Sequence, residues 1–273
     1  MKLKRALKYG LVHLSRFSGA ELVRDTLLQA RGRTPATVLL FHRVNDDIPE
    51  DGITVSTARF RTVIRAIRER YHPLTLTQLL DHLDEKTPWP RGSVVVTFDD
   101  GYLDNFSSAA PILAEYGVPA TFFIVANAMG TGRVMPWEQH LQGRVTWMTW
   151  NQVRELHRQG FEVGSHTLTH PDLGKVRGAE AWREISESKT KLQDELGAPV
   201  PLFAYPFGRR ANLLEENRDL VRKAGYRCCC AVVGGFVRPD SDRFDILRRP
   251  VDQHYTRATD LDYEIRTALW REM

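Results

Sequence analysis

Spaced cysteines, long apolar runs and a strong excess of one charge are all missing from this sequence of 273 residues. Its three cysteines are the neighbours Cys228, Cys229 and Cys230, which can build neither a disulfide framework nor a metal cluster of spaced thiolates. No stretch of about 18 apolar residues occurs, so we expect no transmembrane helix. The net charge of +4 allows an anionic partner, but without an RNA- or DNA-binding motif we expect no nucleic-acid partner.

The first part of the chain combines basic charge with a helical apolar pattern. It lacks the unbroken apolar core and small-residue cleavage site of a signal peptide, which argues against that class of segment. Apolar residues recur at helical spacing opposite basic side chains, at Leu3, Leu7, Leu11, Leu14 and Phe17. We therefore predict a basic amphipathic helix region over residues 1–30, followed by a single domain over residues 31–273. Two interpretations stay open: contact of residues 1–18 with an anionic membrane surface, or packing on the protein body or another subunit.

Beyond residue 35, short apolar runs alternate with helical patterns. Predicted strands cover Val38–Phe41, Ser93–Phe98, Ala120–Val125, Phe161–Gly164, Pro201–Tyr205, Tyr226–Val233 and Asp245–Arg248. Predicted helices cover residues 57–70 (capped by Ser56), Thr77–Leu83, Asn105–Tyr116, Trp150–Arg158, Ala179–Leu196, Leu213–Ala224 and Ala258–Trp270. This alternation predicts an α/β fold of parallel βα units, and about seven units favour a closed or nearly closed barrel. Ala126–Trp147 lacks periodicity and is predicted to be a long loop that covers the site.

Polar side chains follow several of the predicted strands at the point where each ends. The apolar run that ends at Phe98 leads directly into Asp99 and Asp100. Two adjacent carboxylates repel each other, and a folded protein seldom places them at the end of a core strand without a use. His42 follows the first strand, and His166 and His170 follow the fourth. Because barrel enzymes carry their active residues at these strand ends, we predict one site there.

Two imidazoles and one carboxylate form a three-ligand metal site that keeps a position open for water. We predict Asp100, His166 and His170 as the ligands. Pro171 disfavours a helical backbone at His170, so the histidine pair is expected in a loop after a strand. Zinc is the expected divalent ion, and cobalt, nickel or iron also suit these ligands. Asp99 would take a proton from bound water, a contribution of roughly 10²–10⁴-fold in rate.

Three motifs give the sequence a resemblance to the polysaccharide deacetylases of carbohydrate esterase family 4. They are T-F-D-D-G at 97–101, S-H-T-L-T-H at 165–170 and F-A-Y-P-F-G at 203–208, and the similarity covers about residues 36–252. The resemblance implies a distorted (β/α) barrel of seven parallel strands, an Asp-His-His metal site and hydrolysis of N-acetyl groups on amino sugars. It assigns Asp99 as the base and Asp100, His166 and His170 as ligands. Tyr205, Pro206 and Phe207 would form one wall of the substrate groove, where the Phe207 N–H helps to hold an oxyanion.

The sequence departs from the family pattern in two places. Many members have an arginine that orients the base where this chain has Ala204, so we expect Arg248 or Arg249 to replace it, and Arg249 is also assigned to substrate binding. No clean copy of the C-terminal leucine–histidine motif is found. His42, in L-L-F-H-R-V, resembles the early Y-H-x-V segment of a bacterial exopolysaccharide deacetylase subgroup and is assigned as the acid that protonates the leaving amine. A packed or capping histidine is the alternative.

The resemblance therefore predicts a metal-dependent hydrolase that releases acetate from an amino-sugar glycan or a sugar-linked precursor. Alternatives on the same fold are an O-acetyl esterase, a cyclic-amide hydrolase, or a sugar-binding homologue without activity. Trp137, Trp147 and Trp150 are expected either to stack on sugars or to pack under the long loop. Because the pattern of the cysteines is typical of reduced thiols and no export signal is evident, we expect a cytoplasmic location, and contact with the inner membrane face is one of the two interpretations of residues 1–18. The oligomeric state is not predicted.

Overall fold

The computed structural model describes residues 34–141 and 143–252, together with the isolated positions 27, 258, 260–263 and 265. The predicted N-terminal helix lies outside the described residues except for Leu27, and most of the predicted Ala258–Trp270 helix does so too. In the described part of the chain, no helix is both long and apolar enough to span a membrane.

One parallel sheet organises the described residues. The strands are β1 (Thr37–Phe41), β2 (Arg43–Val44), β3 (Thr54–Val55), β4 (His72–Leu74), β5 (Ser93–Phe98), β6 (Ala120–Ile124), β7 (Glu162–Ser165), β8 (Cys230–Ala231) and β9 (Ile246–Pro250). The sheet has seven strands in the order β7-β6-β5-β1-β9-β8, and β4 joins it through β5. Along one edge, β5 pairs with β1; on the other, its first half pairs with β4 and its second half with β6. The short strands β2 and β3 pair separately.

The sheet curls and closes on itself through two single bridges. Ser165 at the end of β7 pairs with Phe203, and Ala204 pairs with Cys230 of β8. The predicted barrel of parallel strands is thus confirmed, in a distorted form. The predicted strand Pro201–Tyr205 shrinks to these bridges because Pro201 at its start and Pro206 just after its end have no N–H to donate to a ladder.

Helices pack around the strands close to their predicted positions. They are α1 (Thr57–Arg70), α2 (Leu76–Glu85), α3 (Ala110–Tyr116), α4 (Trp150–Arg158), α5 (Gly178–Leu196) and α6 (Glu215–Lys223). Capping boxes start α2 at Thr75 and α4 at Thr149. Ser56 stands at the cap position of α1, but its side chain makes no cap hydrogen bond. The predicted helix Asn105–Tyr116 begins with a wide π turn at Asn105–Ala109, since Pro111 cannot donate into the preceding turn.

Aromatic packing holds the strand ends that carry the predicted site. The Phe98 ring at the end of β5 stacks on Phe41 of β1, with centroids 5.4 Å apart, and on Phe122 of β6 at 4.8 Å. All three rings are buried, and each contributes roughly 1.5–3 kcal/mol of burial free energy. The residues that follow β1 and β5 are therefore anchored to one rigid layer.

Candidate active site

The carboxyl ends of β1, β5 and β7 meet at an open cleft of ≈ 660 Å³. Most of the predicted site residues line it, namely His42, Asp99, Asp100, His166, His170 and Phe207. Tyr205 and Arg249 do not line it, and neither does Pro206. A wider depression of ≈ 850 Å³ lies elsewhere, bordered by α3 and the end of α4, but its lining has no ionisable side chain. The chemistry is therefore concentrated in the smaller cleft.

The three predicted ligands converge on one point. Asp100 Oδ1 lies 3.3 Å from His170 Nε2 and 3.5 Å from His166 Nε2. One ligand atom from each of the three residues lies within 4.8 Å of the others, and all three residues are buried. The sequence placed these residues at the ends of strands, and the structure brings them together.

The backbone around this point adopts a rare conformation. Five non-glycine residues in the described part of the chain have positive φ, and four of them are at the cleft: Asp100, Thr167, His170 and Phe207. Left-handed backbone costs non-glycine residues roughly 1–3 kcal/mol each, so it persists only where surrounding contacts enforce it. His170 N–H, for example, donates a hydrogen bond to Thr167 Oγ1 over 3.0 Å. Two of the three predicted ligands, Asp100 and His170, therefore have this strained backbone conformation.

His166 is oriented by the barrel's closing segment. Its Nδ1 lies 2.9 Å from the Ala204 carbonyl oxygen, which accepts a hydrogen bond from the protonated Nδ1 and leaves Nε2 free to face Asp100. Burial lowers the pKa of His166 to about 4, although Asp99 opposes this shift. The ring is therefore neutral near pH 7, which is the form that binds a metal. Ala204, where the family's arginine is absent, thus contributes through its backbone.

The unpartnered atoms of the cluster test whether a divalent ion fits. Among the described residues, the buried atoms Asp100 Oδ1 and His170 Nδ1 have no hydrogen-bond partner. For Asp100, burial favours a raised pKa, but His170 and the other imidazoles outweigh it and the pKa is lowered, so the carboxylate is charged. An anionic carboxylate oxygen together with two imidazole nitrogens is the donor set that zinc and related ions take. The residues present fit a divalent ion.

Asp99 is held by a buried arginine. Arg248 Nη1 donates to Asp99 Oδ1 at 2.7 Å, and Nη2 donates to Oδ2 at 2.7 Å. Both side chains are almost completely buried. Burial alone would raise the pKa of Asp99, but Arg248 and His166 lower it, so the carboxylate stays ionised. Arg248 on β9 thus pairs with Asp99, and it is one of the two arginines that the sequence offered in place of the missing motif arginine.

The neighbouring arginine points elsewhere. Arg249 Nε donates to the Gly235 carbonyl at 3.1 Å, and its guanidinium lies 4.3 Å from the centroid of the Phe236 ring. Consecutive strand residues face opposite sides of a sheet, so only one of the two arginines can reach Asp99. A role of Arg249 in substrate binding stays a prediction, and these contacts do not support it.

His42 lines the cleft and directly follows β1. The ring shares the cleft with Asp99 and Asp100, while the His42 carbonyl accepts a hydrogen bond from Asn105 Nδ2 at 2.6 Å. Burial lowers the pKa of His42, although the two aspartates pull it upward. The position suits the predicted proton donor, and the neutral ring would need a proton from the reaction itself.

Two aromatic rings flank His170 and form a wall of the cleft. Trp137 and Phe207 each lie 4.9 Å from the His170 ring centroid, and they lie 5.6 Å from each other. Phe207 is 45% exposed, which is unusual for a large apolar side chain. Its N–H has no hydrogen-bond partner among the described residues. A side chain at Gly208 would clash with Val232, which explains the glycine after it.

The other aromatic and motif residues support the fold instead of lining the cleft. Tyr205 packs against Phe203 in a buried cluster, and Pro206 is buried beside it. Trp147 stacks on Tyr102 at 5.0 Å and donates from Nε1 to the Arg133 carbonyl. Trp150 is partly buried and packs against the core. Of the three tryptophans considered for sugar stacking, Trp137 alone borders the cleft.

A buried glutamate on α5 was not recognised from the sequence. Glu184 accepts hydrogen bonds from Leu168 N–H at 3.1 Å and from Thr169 N–H at 2.8 Å. It also accepts one from the Thr169 hydroxyl at 2.7 Å. These bonds hold the middle of the loop between His166 and His170. In the sequence, Glu184 could have been noticed as a carboxylate on the helix face that also carries the buried residues Ala181, Ile185 and Ser188.

A buried arginine next to His42 joins two rim segments. Arg43 donates to Thr54 Oγ1 and to Asp51 Oδ2, both at 2.8 Å, which secures the loop that lines the cleft at Gly52. Its Nη1 lies 3.5 Å from Glu138, which follows Trp137 in the segment Ala126–Trp147. The predicted long loop therefore contains a short 3-10 turn, Pro136–Leu141, and that turn borders the site.

Comparison with known proteins identifies the family of the chain. The sequence model of the family described as polysaccharide deacetylase matches residues 86–229. YxkH of Bacillus subtilis (strain 168), whose name places it among polysaccharide deacetylases, is 25% identical over 227 residues, which are 82% of this chain and 75% of that protein. The poly-beta-1,6-N-acetyl-D-glucosamine N-deacetylase of Escherichia coli (strain K12) is 31% identical over 68% of this chain. The chain spans about a third of that relative's length (32%).

A solved structure shows the same fold. The deacetylase PplD of Streptococcus pyogenes, in complex with acetate, superposes with a TM-score of 0.72 at 20% sequence identity. The superposition covers 84% of this chain and 97% of that chain. Since the family match spans more than half of the sequence and includes Asp99, Asp100, His166 and His170, the chain belongs to the polysaccharide deacetylase family of hydrolases.

Proposed function

We propose that this chain is a metal-dependent hydrolase that removes N-acetyl groups from an amino-sugar glycan, or from a precursor of one, and releases acetate. One observation carries the proposal: a buried Asp100-His166-His170 group lies beside an ionised, arginine-paired Asp99 at one cleft. The Escherichia coli relative, named for N-deacetylation of poly-beta-1,6-N-acetyl-D-glucosamine, supports an acetylated exopolysaccharide as the substrate class.

Asp100, His166 and His170 would hold the ion, with zinc as the expected one and cobalt, nickel or iron as alternatives. A divalent ion held there would lower the pKa of bound water and would polarise the acetamide carbonyl. The chain's own contribution is to hold His166 and Asp100 in the required geometry, through the Ala204 carbonyl and the strained backbone at Asp100.

Asp99 is suited to take the proton from the attacking water. Its bidentate pair with Arg248 keeps it ionised and fixes its two oxygens. The same pair lowers the pKa of Asp99, so the carboxylate is a weak base and accepts a proton only from water that is already acidified. Orientation by Arg248 is therefore gained at the expense of basicity.

His42 would return a proton to the departing nitrogen. Because burial lowers its pKa, the ring is largely neutral before the reaction, and it would obtain the proton that Asp99 takes from water. The free N–H of Phe207 is available to donate a hydrogen bond to the oxyanion of the tetrahedral intermediate. Trp137 and the exposed Phe207 ring offer apolar faces on which a sugar ring can stack.

A panel of substrates tests the proposed bond. We expect the purified chain to release acetate from N-acetylglucosamine oligomers in the presence of zinc or cobalt, and to lose this activity after treatment with a chelator. O-acetylated sugars and ureides serve as comparison substrates. Faster release from O-acetyl esters would favour an esterase, whereas no release from any acetylated glycan with any added divalent ion would refute the enzymatic proposal.

The cytoplasmic location and the membrane contact of residues 1–18 also stay proposals, since that segment lies outside the described residues. A vesicle-sedimentation assay with anionic lipid addresses the contact. Binding that disappears when residues 1–30 are deleted would support it, and equal sedimentation of both chains would not.

A further inference from the structure

One wall of the cleft carries two cationic side chains that the proposed chemistry does not use. Lys175 and Arg209 both line the cleft that contains Asp99 and the three predicted ligands. Arg209 lies two residues beyond Phe207, and Lys175 lies five residues beyond His170. Both are exposed, so both cations reach the solvent-filled part of the cleft, where a bound substrate would lie.

The two loops that carry these cations are locked together. Asn212 Nδ2 donates to Asp172 Oδ1 at 2.7 Å, and Asn212 Oδ1 accepts from the Arg209 N–H at 3.0 Å. A side chain at Gly174 would lie 2.2 Å from the Ala211 carbonyl oxygen, so the backbones touch. The cations are therefore presented from a fixed base and not from two independently moving loops.

Arg209 differs from its neighbour in one respect that bears on function. Arg210 Nη1 pairs with both oxygens of Asp245, at 3.0 and 2.8 Å, and does not line the cleft. Among the described residues, the Arg209 guanidinium has no hydrogen-bond or ion-pair partner. Two adjacent arginines on the same turn thus have different surroundings: one is neutralised by the protein, and the other faces the cleft unneutralised.

One carboxylate shares this wall and must be counted. Asp172 Oδ2 lies 3.5 Å from Lys175 Nζ, while Oδ1 accepts from Asn212 and from the Gly174 N–H at 2.9 Å. The charge of Asp172 is therefore compensated by Lys175, and the charge of Arg209 stays uncompensated. The planar guanidinium of an arginine is a good hydrogen-bonding partner for a carboxylate or a phosphate.

We propose that Arg209 forms an anion subsite that selects acidic glycans, in which a phosphate or carboxylate is attached close to the acetamido sugar. The inference rests on the proposed deacetylation and names its substrate class. An uncharged homopolymer of N-acetylglucosamine would leave this cation without a partner. A glycan with a sugar phosphate or an acidic sugar would pair with it.

Matched substrates test the subsite. They are tri-N-acetylchitotriose, the same trisaccharide with a reducing-end phosphate, and the trisaccharide with its reducing end oxidised to a carboxylate. We expect kcat/KM for an acidic substrate to exceed that for the neutral one by about fivefold to tenfold at low salt. In Arg209→Ala this ratio should fall to about one, and in Arg210→Ala it should stay at the wild-type value. About 0.5 M NaCl should reduce the wild-type ratio, because salt screens an exposed pair. The phosphate and carboxylate arms show which anion is preferred.

A binding measurement separates failure of this inference from failure of the proposed function. The phosphorylated and neutral trisaccharides are titrated calorimetrically into the zinc-loaded wild-type chain, Arg209→Ala and Arg210→Ala. Tighter binding of the phosphorylated trisaccharide that depends on Arg209 upholds the subsite even if no acetate is released. Equal binding of both sugars, or equal effects of the two arginine variants, overturns it even if the neutral sugar is deacetylated.

Discussion

The two halves of the cleft floor are positioned by different means. Asp99 and Asp100 follow β5, which is paired along both edges, and Arg248 reaches Asp99 from β9, which pairs with β1. His166 and His170 follow β7 at the seam where the barrel closes only through single bridges. There, Glu184 and the Ala204 carbonyl hold the loop. Continuous strand pairing places the carboxylates, whereas individual buried hydrogen bonds place the imidazoles.

The largest effect is expected from a substitution that disrupts the half of the cleft floor formed by Asp99 and Asp100. Arg248→Met removes the partner of a buried carboxylate and leaves Asp99 uncompensated, which should lower the free energy of unfolding by about 3–5 kcal/mol. The rate of acetate release should fall by roughly 100-fold, because the base loses its orientation. Urea unfolding and steady-state kinetics provide the two readouts.

Arg249→Met is the matched control, since it removes the adjacent guanidinium on the opposite face of β9. We expect Arg249→Met to lower the free energy of unfolding by less than about 1 kcal/mol. The double variant Arg248→Met/Asp99→Asn should regain part of the stability but none of the activity. Equal behaviour of the two arginine variants would contradict the assigned pair.

A smaller effect is expected from the imidazole half. Glu184→Ala leaves Leu168 N–H and both donors of Thr169 without their acceptor, which should cost about 2–3 kcal/mol of stability. Because the loop also carries both predicted histidine ligands, zinc affinity should fall by about 10-fold or more. Glu187→Ala, on the exposed side of α5, is the control. If zinc affinity is unchanged while stability falls, Glu184 serves the fold alone.

The smallest expected effect concerns the pH dependence of stability, and it follows from a comparison of two buried carboxylates that have different partners. Asp104 accepts hydrogen bonds only from neutral groups, the Val44 N–H and the amides of Asn45 and Asn105. Burial raises the pKa of Asp104 to about 6, despite these bonds. Since the pKa is about 3.9 in the unfolded chain, the stability from the protonated form is complete below about pH 4 and is lost as pH rises through about 6.

The free energy of unfolding of the wild-type chain should therefore fall by about 2 kcal/mol between about pH 4.5 and pH 8. Asp104→Asn should remove that part of the pH dependence, so its stability relative to wild type should increase with pH. Urea unfolding across this range, at a fixed zinc concentration, measures the difference. A difference that is constant with pH would show that Asp104 is ionised at all these values. Asp99 should not contribute to this loss of stability between about pH 4.5 and pH 8, because Arg248 lowers its pKa.

The sequence was sufficient for the parts of the site that follow directly from strand ends. Asp99, Asp100, His166 and His170 each come after an apolar run, so their convergence needed only the rule that parallel strands end at one rim. The sequence alone could not decide whether Arg248 or Arg249 pairs with Asp99, because that depends on which face of β9 points inward. That face is fixed by the pairing of β9 with β1, where Arg248 opposes Val38.

Contacts between distant segments could not be predicted in this way. Glu184 was visible as a carboxylate on a buried helix face, but its partners in the loop near Thr169 depend on how α5 packs against β7. Trp137 lay in a segment without periodicity, so nothing in the sequence distinguished it from Trp147. The isolated bridges at Phe203 and Ala204 also escaped prediction, because an apolar run gives no information on how few of its residues will pair.

The most direct test of the account separates metal binding from proton transfer at the two adjacent aspartates. Zinc affinity and acetate release are measured together for the wild-type chain, Asp99→Asn and Asp100→Asn. We predict that Asp99→Asn binds zinc within about threefold of wild type and releases acetate at least about 100-fold more slowly. Asp100→Asn should lose both zinc affinity and activity. Loss of zinc binding in Asp99→Asn, or wild-type zinc binding in Asp100→Asn, would contradict the assigned division of roles.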